Sequence, residues 1–312
     1  MEIITTIDRL PKYLRGGALA VGKFDGMHCG HTLIVSRLHD HAQKRGLPTI
    51  AMTFDPLPSQ VLRPEPGILP LSTLEQKTEL LAELGIDAMI VCPTDHKFLA
   101  RTAEDFFENV LCKTLETQVI VEGRNFHFGH NRAGSPETLQ KWCRETDITF
   151  EAVETITHNG EPVSSSRIRA LLGSGDLASA NELLSRPYRM TGNVVIGERR
   201  GHTLGFPTAN LAEVETIVPQ PGLYAATLRH NDRQYMAAVH IGDNPTFGQT
   251  PFKIEAFLLD FDGNLYGQTL RVDMLRRLRS AMKFANVDEL VAQMHRDVAD
   301  IRATKTNRIT LL

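Results

Sequence analysis

Long apolar runs, paired cysteines and a dominant charge are all missing from this 312-residue sequence. The longest apolar runs, such as residues 88–92, are far too short to span a bilayer. The first residues lack the basic and then apolar order of a signal peptide. The four cysteines lack the paired spacing of a zinc site and are interpreted as reduced thiols. These absences predict a cytoplasmic protein with no membrane partner.

Neither sign of charge dominates, because 34 Lys and Arg residues face 37 Asp and Glu residues, giving a formal net charge of -3. A protein that grips nucleic acid needs a basic patch or stripe, and neither this nor a helix-turn-helix pattern is evident in the sequence. We therefore expect no nucleic-acid partner. The expected ligands are small anions that are held by local groups.

The first half of the chain alternates short apolar runs with longer amphipathic segments. The strand candidates are residues 18–21, 49–53, 89–91 and 119–121. Apolar residues at helical spacing mark the helix candidates, residues 73–84 and 102–115. Strands that alternate with helices are typical of a parallel sheet. This pattern predicts an α/β domain over residues 1–185.

After Arg186 and Pro187 the pattern changes to apolar runs that are bounded by Gly, Pro and Asn. These runs are residues 192–196, 223–228, 237–241 and 254–259. They predict a β-barrel or β-sandwich, and a last amphipathic helix is predicted over residues 287–303. Since a chain of this length has room for about two domains, we predict a second domain over residues 186–312.

A Gly-rich loop with two histidines follows the first predicted strand and leads into a helix-like segment. It contains Gly22 and Phe24, and the positive end of the helix would face its ligand, which suits an anion. His28 and His31 are three residues apart and can share one helix face, while Gly30 leaves room for a phosphate. Two alternatives are open: capping or surface histidines, and a zinc pair that has no third ligand nearby.

A run of three serines precedes the apolar pair at residues 171–172. The polar residues of this segment are Ser164, Ser165, Ser166 and Arg169. A serine run in this position is most often a helix cap, so the pattern alone predicts only a helix start.

A Gly-bounded aromatic segment covers residues 123–129, with Asn125 inside it and Arg132 beyond it. It allows two interpretations. The aromatic residues could form a turn that packs under the sheet, or the polar residues could line a binding site.

A second Gly-punctuated basic loop covers residues 197–210. Its glycines are Gly197, Gly201 and Gly205, and backbone N–H groups in such a loop can surround phosphates. The oxygens of Thr208 and Asn210 are hard ligands that suit Mg2+. As a pattern alone this is weak, because Gly and Pro punctuate ordinary turns equally often.

Two segments near the end of the chain carry further candidates. Glu255 lies in the strand candidate 254–259, where it could also be an ordinary exposed residue on a half-polar face. Arg279 lies in the segment 278–284.

The motifs resemble those of known enzymes in both halves of the chain. Residues 22–31 resemble the G-x-F-D-x-x-H-x-G-H signature of nucleotidyltransferases, and residues 163–169 resemble their I-S-S-T-x-I-R motif with serine at 166. Residues 123–129 are similar to a segment of bacterial FMN adenylyltransferases. Residues 205–210 read G-F-P-T-A-N, as in riboflavin kinases. In this order, over nearly the whole chain, they resemble the bifunctional bacterial FAD synthetases.

This resemblance implies a Rossmann-like nucleotidyltransferase domain with a parallel sheet, followed by a riboflavin-kinase β-barrel with a terminal helix. The second domain would phosphorylate riboflavin to FMN, and the first would transfer AMP from ATP to FMN, giving FAD and pyrophosphate. The implied catalytic residues are His28, His31, Arg169 and Glu255. The implied nucleotide-binding residues are Gly22, Phe24, Gly30, Ser164, Ser165, Ser166, Gly197, Gly201 and Gly205. Flavin would contact Asn125, Arg132 and Arg279, and Mg2+ would be held by Thr208 and Asn210.

The sequence departs from the family pattern at six positions that could alter substrate affinity or the strength of one activity. They are Lys23, Leu57, Ser135, His202, His240 and Ala281, which replace a usual Asn, His, Asp, Arg or Lys, Asn and Glu. Two alternatives to the bifunctional enzyme are therefore kept. One is an adenylyltransferase with a weakened kinase half, and the other is a flavin-binding regulator without turnover.

Overall fold

The computed structural model describes residues 1–7, 10–62, 69–197, 204–231, 233–243 and 252–304. The chain divides into two compact units, Met1–Ile68 with Ser72–Ser164, and Leu69–Leu71 with Ser165–Leu312. The division lies about 20 residues before the boundary at residue 185 that we predict for the two functions. Asn181 provides one link across residue 185, since its buried side-chain amide donates to the carbonyl of Met274, 2.9 Å away, and accepts from the N–H of Tyr188 at 2.7 Å.

The described strands of the first unit form a parallel sheet with the order β1-β4-β3-β2-β5-β6. Its strands are β1 Glu2–Ile4, β2 Ala18–Val21, β3 Thr49–Asp55, β4 Ala88–Pro93, β5 Val119–Gly123 and β6 Thr149–Val153. A short antiparallel pair follows, β7 Thr157–His158 and β8 Glu161–Pro162. All four predicted strands are present, and β1 and β6 are additional.

Helices connect these strands and cover the sheet. They are α1 Cys29–Arg45, α2 Pro58–Leu62, α3 Leu74–Glu83, α4 His96–Leu99, α5 Ala103–Asp105 and α6 Pro136–Glu145. The predicted helix 102–115 is α5 followed by a π-helix, Phe106–Thr114. Short 3-10 turns occur at Lys12–Leu14 and His130–Arg132.

The sheet is buried on both faces, which explains why its strands are almost continuously apolar. Along β2 all four residues are buried, and successive side chains enter different hydrophobic clusters. Leu19 and Val21 pack with Ile50 and Phe107, whereas Ala18 and Ala20 pack with residues that include Leu38 of α1. This confirms the predicted α/β domain.

The centre of the sheet is a topological switch point, where β2 has β3 on one side and β5 on the other. Ligands of open α/β sheets bind at the carboxyl ends of strands at such a point. The β2–β5 pairing ends at Leu19 and Ile120. Beyond it, the N–H of Val21 donates to the buried carboxyl group of Glu122. Burial raises the pKa of Glu122 well above its usual value.

The second unit begins with two helices, which precede a closed antiparallel barrel with the order β10-β13-β12-β11-β14-β9. The helices are α7 Ser165–Ser174 and α8 Leu177–Leu184. The strands are β9 Tyr188–Val195, β10 Ala209–Ala212, β11 Gly222–His230, β12 Arg233–Gly242, β13 Lys253–Leu258 and β14 Thr269–Arg279. Of the two predicted alternatives, barrel and sandwich, the barrel is therefore confirmed.

The terminal helix α9, Val287–Arg302, packs on the outer face of the barrel. Alternate residues of β12, such as Val239, are buried, and those between them point outward. The outward Ala238 packs in one cluster with Val298 and Ile301 of α9. Within the described residues, no helix combines the length and apolar composition that a membrane span needs.

Candidate active sites

The loop between β2 and α1 is held in an unusual conformation by its own buried side chains. Phe24 and Met27 have φ values of 46° and 40°, which bulky residues rarely adopt, and both are 1% exposed. The N–H of Gly26 donates to Ser72 Oγ at 3.1 Å, and the N–H of Ser72 donates to Asp25 Oδ1 at 3.3 Å. The segment before α3 therefore braces the loop.

The two histidines of this loop come together at the start of α1. His28 is the N-cap residue, and its ring stacks on that of His31 with centroids 3.8 Å apart and an angle of 16° between planes. The ring of Phe24 meets His31 edge-on at 5.5 Å. A Cβ atom on Gly30 would lie only 3.1 Å from the His28 ring. Both rings thus lie beside a helix N-terminus, where an anion is stabilised.

A zinc site built on His28 and His31 would need at least a third protein ligand close to them. In the part of the chain that the structure describes, no group of three or more His, Cys, Asp and Glu residues is arranged to hold a metal ion. The catalytic role of His28 and His31 remains a prediction, as does the nucleotide-binding role of Gly22, Phe24 and Gly30.

Lys77 is a feature of this region that the sequence analysis missed. It lies on α3 with 4% of its surface exposed, and its Nζ donates to Thr53 Oγ1 at 3.1 Å. The Thr53 hydroxyl in turn donates to the carbonyl oxygen of Lys23 in the histidine loop, 3.3 Å away. Burial lowers the pKa of Lys77 to about 8, against the opposing charges of Asp25 and Asp55. The signal was a lysine at a buried position of an amphipathic helix.

Substituting Lys77 with methionine is expected to stabilise the first unit at pH 7. The folded-state pKa of about 8 lies below the ordinary 10.5, which corresponds to a cost of about 3 kcal/mol for the buried charge. Loss of the hydrogen bond to Thr53 offsets about 1 kcal/mol of the gain. Between pH 8 and 10.5 the unfolded wild type binds more protons than the folded wild type, so its free energy of unfolding rises with pH in this range. The stability difference between Lys77→Met and the wild type therefore narrows.

Urea unfolding that is followed by tryptophan fluorescence can measure this difference. Trp142 is the one tryptophan of the chain, and it lies in the first unit with its ring 5.3 Å from that of Phe107. A Lys77→Met variant that is less stable than the wild type at pH 7, by an amount independent of pH, would contradict the prediction.

In the aromatic segment after β5, the aromatic side chains are packed and the polar side chains are exposed. Phe126 and Phe128 stack with centroids 5.4 Å apart, and a Cβ atom on Gly134 would lie 2.7 Å from the Phe128 ring. The aromatic part is thus packed, whereas Asn125 and Arg132 are exposed. Asn125 follows β5, at the same edge of the sheet as the histidine loop. Flavin binding by these two residues remains a prediction.

The serine segment forms a helix start, as predicted. Ser165 is the first residue of α7, and Ser164 precedes it. Arg169 lies on α7, and its Nε donates to the carbonyl of Leu69 at 3.1 Å. Because α7 belongs to the second compact unit, the approach of Ser165, Ser166 and Arg169 to the histidines remains a prediction.

In the second unit, five residues on consecutive strands form one line across the outside of the barrel, which we name the outer row. They are Asn210, Glu255, His240, Leu223 and Arg279, each directly opposite the next. Residues that are directly opposite in an antiparallel sheet share a face, with Cβ atoms about 4.5–5.5 Å apart. The register therefore brings Glu255, Asn210 and Arg279 to one face.

The oxygen-bearing residues before and within β10 lie at one end of this row. Thr208 directly precedes β10, Asn210 is the second residue of that strand, and both side chains are partly buried. A Cβ atom on Gly197 would lie 2.1 Å from Asn210 Nδ2, so this glycine packs directly on the amide. Gly205 has a φ of 82°. Gly201 and His202 lie outside the described residues.

Gly197→Ala is expected to displace the Asn210 amide and to reduce phosphorylation of riboflavin. Asn210 is a predicted Mg2+ ligand, and disturbing the orientation of a metal ligand typically costs about 10–100-fold in activity. Gly173→Ala serves as the matched control, because a Cβ atom at that position of α7 would meet no described atom within 4 Å apart from its chain neighbours and the backbone of its own helix. Steady-state rates at varied ATP and Mg2+ concentrations provide the measurement. Equal rates for the two variants would contradict the prediction.

Arg279, at the other end of the outer row, is engaged by the terminal helix. Its Nη2 lies 2.7 Å from Oδ2 of Asp297, and its Nε lies 3.1 Å from Oδ1. Asp297 is 4% exposed and also accepts from Gln293 at 2.8 Å. The guanidinium group of Arg279 thus links β14 to α9 by an ion pair. Flavin binding by Arg279 remains a prediction.

Of the positions that depart from the family pattern, those within the described residues have the following surroundings. Ser135 caps α6, since its Oγ accepts from the N–H of Thr138 at 3.3 Å. Leu57 is buried, and Ala281 is exposed. His240 lies in the outer row, directly opposite Glu255.

Comparison with known proteins covers both units. A protein-family model described as FAD synthetase matches residues 10–167, and one described as riboflavin kinase matches residues 184–305. The bifunctional riboflavin kinase/FMN adenylyltransferase of Escherichia coli K12 is 33% identical over 299 residues, 95% of this chain and 96% of the relative. That of Listeria monocytogenes is 35% identical over 290 residues, 91% of each.

Among solved structures, a crystal structure described as the macrolide-efflux protein of Streptococcus pneumoniae has a TM-score of 0.87 to this chain at 29% identity. The match covers 97% of this chain and 99% of the streptococcal one, so the two share their fold throughout. Taken with the two family models and the full-length relatives, the chain belongs to the family of bifunctional riboflavin kinase/FMN adenylyltransferases.

Proposed function

We propose that this chain makes FAD in two steps, with residues 186–312 phosphorylating riboflavin to FMN and residues 1–185 adenylylating FMN. The observation that carries the proposal is the presence of both sites in one chain, the stacked histidines at a helix N-terminus and the outer row of the barrel. The substrates are ATP, riboflavin and FMN. The cytoplasm is the proposed location, without nucleic-acid or membrane partners.

In the kinase step, Glu255 accepts the proton of the ribityl 5′-hydroxyl. The oxygen of this hydroxyl attacks the γ-phosphorus of ATP, and ADP leaves. Glu255 stands directly opposite Asn210 in the register, which supports this role. The oxygens of Thr208 and Asn210 fit Mg2+, because this ion takes one or two protein oxygens together with substrate phosphates. When bound, Mg2+ neutralises charge that develops on the phosphates. Gly197, Gly201 and Gly205 are the residues that we propose to bind these phosphates.

In the adenylyl step, an ionised oxygen of the FMN phosphate attacks the α-phosphorus of ATP, and pyrophosphate leaves. The phosphate is largely ionised near neutral pH, so alignment and charge stabilisation replace a strong base. His28, His31 and Arg169 supply positive charge or hydrogen bonds. Gly22, Phe24 and Gly30 shape the loop, and Ser164, Ser165 and Ser166 bind the triphosphate. The start of α1 adds the partial positive charge of a helix N-terminus.

The two alternatives receive less support. A chain with only one live site or a regulator without turnover would not need both constellations, and both family models match. Glu255 and Asn210 are retained opposite each other, as are the stacked histidines.

The test incubates the purified full chain with riboflavin, ATP and Mg2+, and resolves riboflavin, FMN and FAD by chromatography. FMN should appear first and FAD should follow, and added FMN should yield FAD directly. FMN that accumulates without FAD would overturn the adenylyl step. FAD from FMN but no FMN from riboflavin would establish the monofunctional alternative. Bound flavin without turnover would establish the regulator.

A further inference from the structure

His240 occupies the middle of the outer row, and the kinase step described above does not use it. In the register it stands directly opposite Glu255 of β13 on one side and Leu223 of β11 on the other. Leu223 in turn stands opposite Arg279. The proposed base therefore has two immediate cross-strand neighbours, Asn210 and His240.

The imidazole of His240 is partly buried and has unused hydrogen-bonding capacity at one nitrogen. Its Nδ1 is buried and has no hydrogen-bond partner among the described residues. Buried polar atoms almost always have a partner, so an exception calls for an explanation such as a ligand. Burial lowers the pKa of His240, opposed by Glu255 and Asp243 and reinforced by Arg279. The neutral ring offers one donor and one acceptor.

On the outward side of β12, His240 lies at the border between an apolar region and a polar one. Ala238 and Met236, which precede His240 on the same side of β12, pack with Ile301 of α9. The outer row beyond them is polar at Glu255, His240 and Arg279, with the apolar Leu223 between the last two. A flavin substrate has the matching division, an apolar ring system joined to a chain of hydroxyl groups.

We propose that His240 hydrogen-bonds the ribityl hydroxyl next to the one that is phosphorylated and so holds the 5′-hydroxyl against Glu255. This inference rests on the proposed kinase function. The 4′- and 5′-hydroxyls are on adjacent carbons, and the Cβ atoms of directly opposite residues are about 4.5–5.5 Å apart. Glu255 can therefore hold the 5′-hydroxyl while His240 holds the 4′-hydroxyl. The asparagine usual in the family also has a polar atom at the position of Nδ1.

A cycle of two variants and two substrates tests the proposal. His240→Leu removes the polar atoms, and His240→Asn keeps one at the position of Nδ1. Each is assayed with riboflavin and with 4′-deoxyriboflavin, which lacks the proposed partner. With riboflavin, His240→Leu should lower kcat/KM by about 10-fold, with a fall in kcat as well as a rise in KM, because the lost hydrogen bond both binds the ribityl chain and positions the 5′-hydroxyl. His240→Asn should recover most of this loss.

With 4′-deoxyriboflavin, the wild type and His240→Leu should react at similar rates, because the partner is already absent. An equal loss with both substrates would overturn the proposal, since His240 would then act on Glu255 or on the fold. Formation of FAD from added FMN should be unchanged in both variants. A wild type that does not phosphorylate riboflavin would instead contradict the proposed function itself.

Discussion

Replacing Glu255 with glutamine is expected to slow FMN formation from riboflavin by about 10²–10⁴-fold, the usual contribution of a general base. Glutamine has nearly the same size, so the cross-strand contacts with Asn210 and His240 persist. What is lost is the ability to accept the proton of the 5′-hydroxyl. FAD formation from added FMN should be unchanged, because that reaction needs no residue of the outer row.

The matched control is Asp262→Asn, which makes the same acid-to-amide change at an exposed position four residues beyond β13. Both variants are compared by their rates from riboflavin and from FMN, with folding checked by circular dichroism. A Glu255→Gln variant with wild-type kinase activity would remove Glu255 from the mechanism. Loss of both activities in a folded protein would show that the two steps are not divided as proposed.

The sequence predicted well what depends on short segments. Apolar runs located the central strands, and the spacing of His28 and His31 by three residues brings their rings together at one helix end. Thr73 was within the predicted helix and is its N-cap, with its side chain accepting from the N–H of Gln76. These features are local, so periodicity and capping chemistry suffice to predict them.

Features that depend on distant contacts could not be predicted. Glu255, His240 and Arg279 were each noticed separately, but only the strand register aligns them in one row. Lys77 and Glu122 were missed because charged residues are ordinarily exposed, whereas both are almost completely buried.

One helix type and one domain boundary also differ from what the pattern indicated. The segment 102–115 contains a π-helix, because the N–H of Leu115 bonds to the carbonyl of Val110 five residues earlier. Its buried residues fit an α-helical period equally well. The change of texture at Arg186 marks where the strands begin, but the buried amide of Asn181 already joins α8 to the barrel.

His31→Ala is expected to slow FAD formation from FMN by about 10²–10³-fold, the range typical for removing one group that stabilises transition-state charge. The ring of His31 is fixed between His28, 3.8 Å away, and Phe24, 5.5 Å away. Such fixed positioning means that the hydrogen-bonding group needs no reorganisation as charge passes to the leaving pyrophosphate. Phosphorylation of riboflavin should proceed at the wild-type rate.

His96→Ala is the matched control, since His96 is an exposed residue of α4 in the same unit. The two variants are compared by single-turnover conversion of FMN with saturating ATP, which separates the chemical step from product release. If His31→Ala weakened ATP binding but left the single-turnover rate intact, His31 would bind the ground state and not the transition state. If neither changed, the stacked pair would only shape the start of α1, and the positive charge for the adenylyl step would have to come from other groups such as Arg169.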